Sequence, residues 1–398
     1  MDEGLMKTYT RADEVFVAGR GAVLQDSTGR EFLDFLAGIA VSALGHGHGA
    51  LTAALRDQVG RIVHLSNLFR HPYTEQVATR LCRLTDMAAA FFTNSGTEGV
   101  ECALKLARKA MHNRGTPQRT SFVALEGGFH GRSLGALSLT WNEKYRKTFV
   151  PLQQVTWVAP EDTQALARVL QTEQPAALVI EPIQGEGGIR ELSEAFLRAA
   201  RELCTSTGTI LVHDEIQSGC GRTGRFLAAQ AASVVPDVVV LAKPIGAGLP
   251  MGVCLANAAL ADTFSKGEHG STFAGGPLVC RAALVFLDEI DRGLLGNVQD
   301  RGRQLRAGLE QLQRELKIVR EVRGRGLMLG LRLHHSAEQV QKALYRSGLI
   351  VNCTATDVLR IVPPFVVTSA QIDQAITQLR ATLATFPTTE PPARKVST

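Results

Sequence analysis

The residue in this chain best placed for covalent chemistry is a lysine at the end of an apolar run. Lys243 closes VVVLA at 238–242 and opens a Pro-Ile-Gly-Ala-Gly loop. Its amine would lie at a partly desolvated sheet edge, where burial lowers the pKa and favours the neutral, nucleophilic form that imine chemistry needs. A strand-end lysine that merely snorkels to solvent leaves the same signature, so Lys243 alone does not decide the matter. Asp214 lies just beyond a second apolar run, TILV at 209–212. A carboxylate buried there needs a cationic partner, and a protonated pyridine ring would be one whose electron-withdrawing character the carboxylate preserves. Taken alone, Asp214 also suits a helix cap or a turn.

Other residues add phosphate and carboxylate chemistry. Ser95-Gly96-Thr97 stands between Phe91-Phe92 and a strong helical pattern, so free backbone N–H groups and the helix dipole could hold a phosphate dianion. A capping box of Ser95 with Glu98 explains the same residues structurally. The stretch GCGRTG at 219–224 lacks the lysine of a P-loop, and no G-x-G-x-x-G follows a strand. Within EGGFHGR, Phe129 could stack on a planar ring or simply pack, and Arg132 could bind a substrate carboxylate in bidentate fashion. His46 and His48 have no carboxylate or cysteine cluster beside them in sequence, so no metal is expected; His130 and His213 read as supporting or packing residues.

The elements that must position these groups are legible as short, fully apolar runs. FVAL at 122–125, ALVI at 177–180, TILV at 209–212, VVVLA at 238–242 and GVCLA at 252–256 lack alternation, as strands do when a parallel sheet is covered by helices on both faces. Nearly every run ends in a charged group, and ligands of open α/β sheets bind beyond the carboxyl ends of the strands, so these charges point to one shared site. Between them, Val100, Ala103, Leu104, Ala107 and Met111 recur at helical spacing. The pattern predicts an α/β fold: a large domain over 50–285 with a mostly parallel sheet flanked by helices, and a smaller α+β domain over 286–387 with a helix at 298–316, strands near 327–333 and 358–362, and a last helix near 370–385. The segment 1–49, with a hairpin turning at Ser27–Gly29, is expected to join the small domain, and 388–398 reads as a flexible tail.

Bulk composition narrows the function classes. With 43 basic and 38 acidic side chains spread along 398 residues, nucleic acid is not the expected partner. Seven cysteines without a C-x-x-C pair argue against a disulfide framework or zinc ribbon and suit a reducing compartment. No apolar run reaches membrane-spanning length and the N-terminus lacks a signal-like pattern, so a cytoplasmic protein with no membrane partner is expected.

In combination the motifs resemble the class III, or ornithine-type, aminotransferases, and most closely the acetylornithine branch. The resemblance runs from about residue 10 to 380 through LGHGH at 44–48, FFTNSGTEGVECALKLAR at 91–108, GGFHGRSLGALSLT at 127–140, EPIQGEGG at 181–188, LVHDEIQSGCGRTG at 211–224, LAKPIGAGLPMG at 241–252, GSTFAGGPL at 270–278, VRGRGLMLG at 322–330 and LRIVPPFVVT at 359–368. It implies a fold type I transferase that uses pyridoxal 5'-phosphate, with Lys243 forming the Schiff base. Gly96 and Thr97 are then expected at the cofactor phosphate, Phe129 on the ring, Asp214 at the ring nitrogen and Gln217 near the phenolic oxygen. The resemblance also implies a homodimer in which Thr272 reaches the neighbouring subunit's cofactor phosphate and Ser271 helps hold substrate. Arg132 would grip the carboxylate of an acyl-ornithine, and Arg360 that of glutamate or 2-oxoglutarate, shielded by Glu186 while the other substrate is bound. Ornithine, succinylornithine, 4-aminobutyrate and a carrier-linked lysine are the alternative donors. An isomerase of the same fold has no use for a Glu186–Arg360 pair, and a non-catalytic relative would be expected to have lost Lys243 or Asp214. Two positions depart from the family pattern: Gly276-Pro277, where an asparagine usually precedes the proline, and Pro244-Ile245 after the lysine.

Overall fold

A computed structural model describes residues 4–388; the expected tail, apart from Thr388 itself, lies outside them. The central sheet has seven strands in the order Ala89–Thr93, Gly252–Ala256, Val238–Leu241, Ile210–Asp214, Ala177–Ile180, Phe122–Leu125, Val155–Val158. Its fully apolar runs have a direct cause. Successive side chains point to opposite faces, and both faces are covered. Phe122, Ala124 and Val212 pack in one apolar cluster with Val100, Ala103 and Ala107 of the Gly96–Asn113 helix, while Val123, Leu125 and Leu211 pack in another with Leu166, Leu170 and Phe196 from the helices Thr163–Glu173 and Glu194–Thr207.

The sheet is not uniformly parallel. Strand Gly252–Ala256, whose composition matches its neighbours', runs antiparallel to both Val238–Leu241 and Ala89–Thr93. Two-sided burial makes a strand continuously apolar whatever its direction, so composition could not reveal the reversal. Its geometric effect is useful: Gly252 pairs with Thr93, bringing the chain after the lysine loop beside the start of the Gly96–Asn113 helix.

The N-terminal strands Phe16–Arg20, Val23–Asp26 and Glu31–Asp34 form an antiparallel meander that pairs in parallel with Leu349–Ile350. The hairpin turns where expected, because the Asp26 carboxylate accepts the N–H groups of Thr28 and Arg30 at 2.8 and 3.0 Å and Gly29 takes φ +87°. A second antiparallel sheet orders Val319–Arg325, Met328–Leu333, Val358–Ile361 and Asn352–Thr354. The helices Leu294–Glu315, Ala337–Arg346 and Ser369–Leu383 accompany it. The first begins just after Gly293, four residues before the apolar periodicity becomes visible at Val298.

The seam between the lysine loop and the helix start leaves no spare volume. A Cβ at Gly252 would stand 2.4 Å from both the Ser95 carbonyl oxygen and Thr93 Oγ1. Gly252→Ala is therefore expected to lower stability by about 2 kcal/mol, the usual scale for overpacking, and to appear as a reduced midpoint in thermal denaturation of the apoprotein.

Candidate active site

The carboxyl ends of the strands open onto a cavity of about 460 Å³ lined by Ser95, Gly96, Thr97, Phe129, Arg132, Asp214, Gln217 and Lys243, among others. These eight residues, all singled out in the sequence, thus meet in one place. Arg360 lies deeper, only 1 % exposed, with Nη1 donating to Glu186 Oε1 at 2.6 Å and Gln217 Oε1 at 3.2 Å, and Nε to Asn352 Oδ1 at 2.9 Å. Ser271 Oγ accepts from Asn94 Nδ2 at 3.1 Å. Its loop is held by Asn67 Nδ2, which donates to the carbonyls of Ser271 and Ala274 at 3.0 and 3.1 Å. Thr272 is exposed and is not among the residues lining its own chain's cavity.

Lys243 opens a single 3-10 turn, Lys243–Gly246, with φ +52°, a left-handed conformation that costs a side-chain-bearing residue on the order of 1 kcal/mol or more and is typical of constrained sites. Burial lowers its pKa to about 8 and the positive charge of Arg360 adds to the effect, while Asp214, Glu186 and Glu181 pull the other way. A substantial neutral fraction is therefore present near physiological pH.

Asp214 already has a partner within the chain. Its Oδ2 lies 2.7 Å from His130 Nδ1, and its Oδ1 accepts from Ile216 N at 3.1 Å. His130, read from sequence as a supporting residue, is 2 % exposed. Burial alone would lower its pKa, but the Asp214 hydrogen bond and charge, with Glu181, outweigh that and raise it. Burial lifts Glu181 to about 7, opposed by His130, and its oxygens accept from Phe129 N at 2.9 Å and Gly185 N at 3.2 Å. These contacts join the Phe129 loop to the strand-end carboxylates. His213 points away from them; burial drops its pKa to about 3 and leaves it neutral.

At the helix start, the expected capping box is only half formed. Ser95 Oγ accepts from Glu98 N at 3.3 Å, but Glu98 Oε2 turns to Asn94, taking its backbone N–H at 2.6 Å rather than that of Ser95. The first-turn amides of Gly96 and Thr97 have no intrahelical acceptor, as at any helix start. A Cβ at Gly96 would stand 2.6 Å from Ile216 Cδ1, so a larger residue there would have to displace the Ile216 side chain. Thr97 Oγ1 and Ser133 Oγ are 2.7 Å apart. Glu101 Oε1 accepts from Ser133 Oγ at 2.6 Å and from the N–H groups of Gly135 and Ala136 at 2.9 and 3.2 Å. This fixes the loop that carries Arg132. Sequence reasoning missed Glu101, Glu181 as a loop anchor, and Asn352.

An anion-receptive helix start, an aromatic wall, a carboxylate and a low-pKa amine are together what a phosphorylated pyridine aldehyde requires, and the known relatives bear on that fit. Residues 8–383 match the family described as Aminotransferase class-III. The acetylornithine aminotransferase of Aquifex aeolicus is 42 % identical over 381 residues, covering 95 % of this chain and 99 % of its own.

The chain belongs to the class-III aminotransferases. Its fold agrees with the N-acetylornithine aminotransferase of Stenotrophomonas maltophilia at a TM-score of 0.83 and 34 % identity, over 95 % of this chain and 97 % of the other. An amine transaminase from an uncultivated Pseudomonas species in its PLP-bound form aligns at a TM-score of 0.88 and 28 % identity, over 97 % and 99 % of the two chains. The chain is accordingly a pyridoxal-phosphate-dependent transaminase of fold type I, and the cavity fits that cofactor. The family departure at Gly276 leaves the Pro277–Asp291 helix without a side-chain cap. Among the described residues, no group of three or more His, Cys, Asp or Glu could hold a metal ion, and no helix is long and apolar enough to cross a membrane. His46 Nε2 instead pairs with Asp34 Oδ2 at 2.8 Å, and His48 accepts from Leu51 N at a helix start.

The electrostatics give a pH prediction. Because Lys243 is shifted down to about 8, the rate at which apoprotein takes up pyridoxal phosphate, followed by absorbance, should climb as pH rises through about 8. Arg360→Met removes a charge that lowers this pKa and should move the climb to higher pH; an unmoved profile would contradict the electrostatic reading.

Proposed function

We propose that this aminotransferase exchanges the terminal amino group of N-acetylornithine with 2-oxoglutarate, giving N-acetylglutamate 5-semialdehyde and glutamate, with the opposite net direction in arginine biosynthesis. The observation that carries the reading is Arg132, exposed at the cavity and, among the described residues, without an acidic partner. A free guanidinium fork there suits a substrate carboxylate. Arg360, by contrast, is closed by Glu186, as a site reserved for the second substrate requires.

The cofactor, when bound, supplies a carbonyl for amine exchange and an electron sink. In our reading the residues act around it as follows. Gly96 and Thr97 would receive the phosphate, Phe129 would lie against the ring, Asp214, backed by His130, would pair with the ring nitrogen, and Gln217 would stand near the phenolic oxygen. Lys243 Nζ would hold the cofactor through its amine and, when free, would act as the base that takes and moves the proton of the donor's terminal carbon. Arg132 holds the donor carboxylate, and Ser271 assists. In the return half, the Glu186 side chain leaves Arg360 free for 2-oxoglutarate.

We infer a homodimer with shared sites. Leu68, Phe69 and Phe273 are 88, 66 and 66 % exposed, on two loops tied together by Asn67, and apolar exposure of this kind marks an association surface. Thr272 sits on the same loop, where it would reach a neighbour's cofactor phosphate. The free cysteines suit a cytoplasmic setting.

With 2-oxoglutarate as acceptor, glutamate formation should show a higher kcat/KM for N-acetylornithine than for ornithine, succinylornithine, 4-aminobutyrate or a carrier-linked lysine. Arg132→Ala should reduce the N-acetylornithine value on the order of 100-fold, the scale of truncating one member of a charge pair. A clear preference for 4-aminobutyrate would overturn the reading. Light scattering should give twice the chain mass, and Thr272→Ala should weaken cofactor retention.

A further inference from the structure

We propose that Tyr145 is a positioning residue that sets selectivity for carboxylate-bearing donors by stacking its ring on the Arg132 guanidinium. The inference rests on the reading of Arg132 as the donor-carboxylate grip. The Arg132 Cζ lies 3.7 Å from the Tyr145 ring centroid, closer than to any other ring, with the Phe129 centroid at 5.5 Å. Phe129 and Tyr145 meet edge to face at 6.4 Å and 88°, so the guanidinium occupies the corner between two perpendicular rings.

Arginine is long and rich in rotamers, and Arg132 is solvent-exposed with no acid to hold it among the described residues. Without a fixed surface its fork would sample many directions, and a donor carboxylate would have to select one. The face of an aromatic ring restrains the planar cation by cation–π attraction while leaving its N–H edge free for a bidentate contact. Tyr145 is itself fixed. It belongs to the one-turn helix Glu143–Arg146, whose start is capped by Asn142 Oδ1 accepting from Lys144 N at 3.0 Å. Arg146 anchors the other end through Nε to the Trp141 carbonyl at 3.3 Å and by lying 5.2 Å over Trp157. Tyr145 also lines a cavity of about 720 Å³ that shares Phe129 with the cofactor cavity and includes Glu186, so it stands beside the donor's path.

The comparison that isolates this role uses two donors, N-acetylornithine and N-acetyl-1,4-diaminobutane, the same molecule without its carboxylate. Each is followed in a single half-reaction of the holoenzyme by the loss of cofactor absorbance. Tyr145→Leu keeps apolar bulk and removes the ring face; it should raise the half-saturating concentration of N-acetylornithine roughly three- to tenfold, as expected for a lost cation–π contact, with the saturating rate little changed. The decarboxylated donor should be unaffected, and Tyr145→Phe, which keeps the face, should behave as wild type. Equal losses on both donors, or Tyr145→Phe falling as far as Tyr145→Leu, would overturn the proposal. A wild-type enzyme that does not discriminate between the donors would instead remove the Arg132 reading, and this inference with it.

Discussion

A lysine amine at the rim of the sheet is held between opposing fields, and the rest of the site is arranged around that balance. Burial and the Arg360 guanidinium push Lys243 toward neutrality, while Asp214, Glu186 and Glu181 pull it toward the ammonium form. Full burial without acids would leave an amine too weakly basic to shuttle protons; acids without burial would leave it a spectator cation. The apolar strand Val238–Leu241 delivers the desolvation, and the left-handed backbone at Lys243 turns the chain abruptly at that strand's end.

Keeping so many ionisable groups at a sheet edge is costly unless each finds partners. Asp214 and Glu215 are adjacent yet serve different neighbours. Asp214 faces His130 and the cavity. Glu215, raised to about 7 by burial, accepts from Ser218 Oγ and from the N–H groups of Ala228 and Ala229 at 3.1 and 2.9 Å. One carboxylate thus belongs to the site and the next to the architecture. The Asp214–His130 contact has a further consequence: the carboxylate keeps a hydrogen-bond partner whether or not a ring nitrogen is present, so its direction is fixed from within the chain.

Much of this was legible in the sequence because it is local. Runs such as FVAL and ALVI coincide with strands Phe122–Leu125 and Ala177–Ile180, and the charges ending them fall at one edge because parallel strands share their carboxyl ends. What local pattern could not reveal is which distant residue completes each contact. Asn352 meets Arg360 because Asn352–Thr354 pairs antiparallel with Val358–Ile361. His130 reaches Asp214 from 84 positions away. Tyr145 faces Arg132 only because a short helix with no strong periodicity folds back over the loop. The direction of the Gly252–Ala256 strand was hidden for a different reason: burial on both sides erases the alternation that might have distinguished it.

The two arginines differ in a way that fits alternating substrates. Arg360 is almost fully buried and held by Glu186, Gln217 and Asn352, so its position is fixed and only its availability can change. Glu186 is the member able to change it: its side chain is 33 % exposed, while its own carbonyl is pinned by Thr354 Oγ1 at 2.7 Å. The side chain can therefore swing without moving the backbone. Arg132 has the opposite design, exposed at the cavity with its guanidinium lying over the rings of Phe129 and Tyr145 and, among the described residues, no acidic partner. On the proposed reading, a donor with one carboxylate needs only the open arginine, and an acceptor with two must also win Arg360 from Glu186. The gate then costs the second substrate some binding energy and spares the first from competing for the wrong anchor.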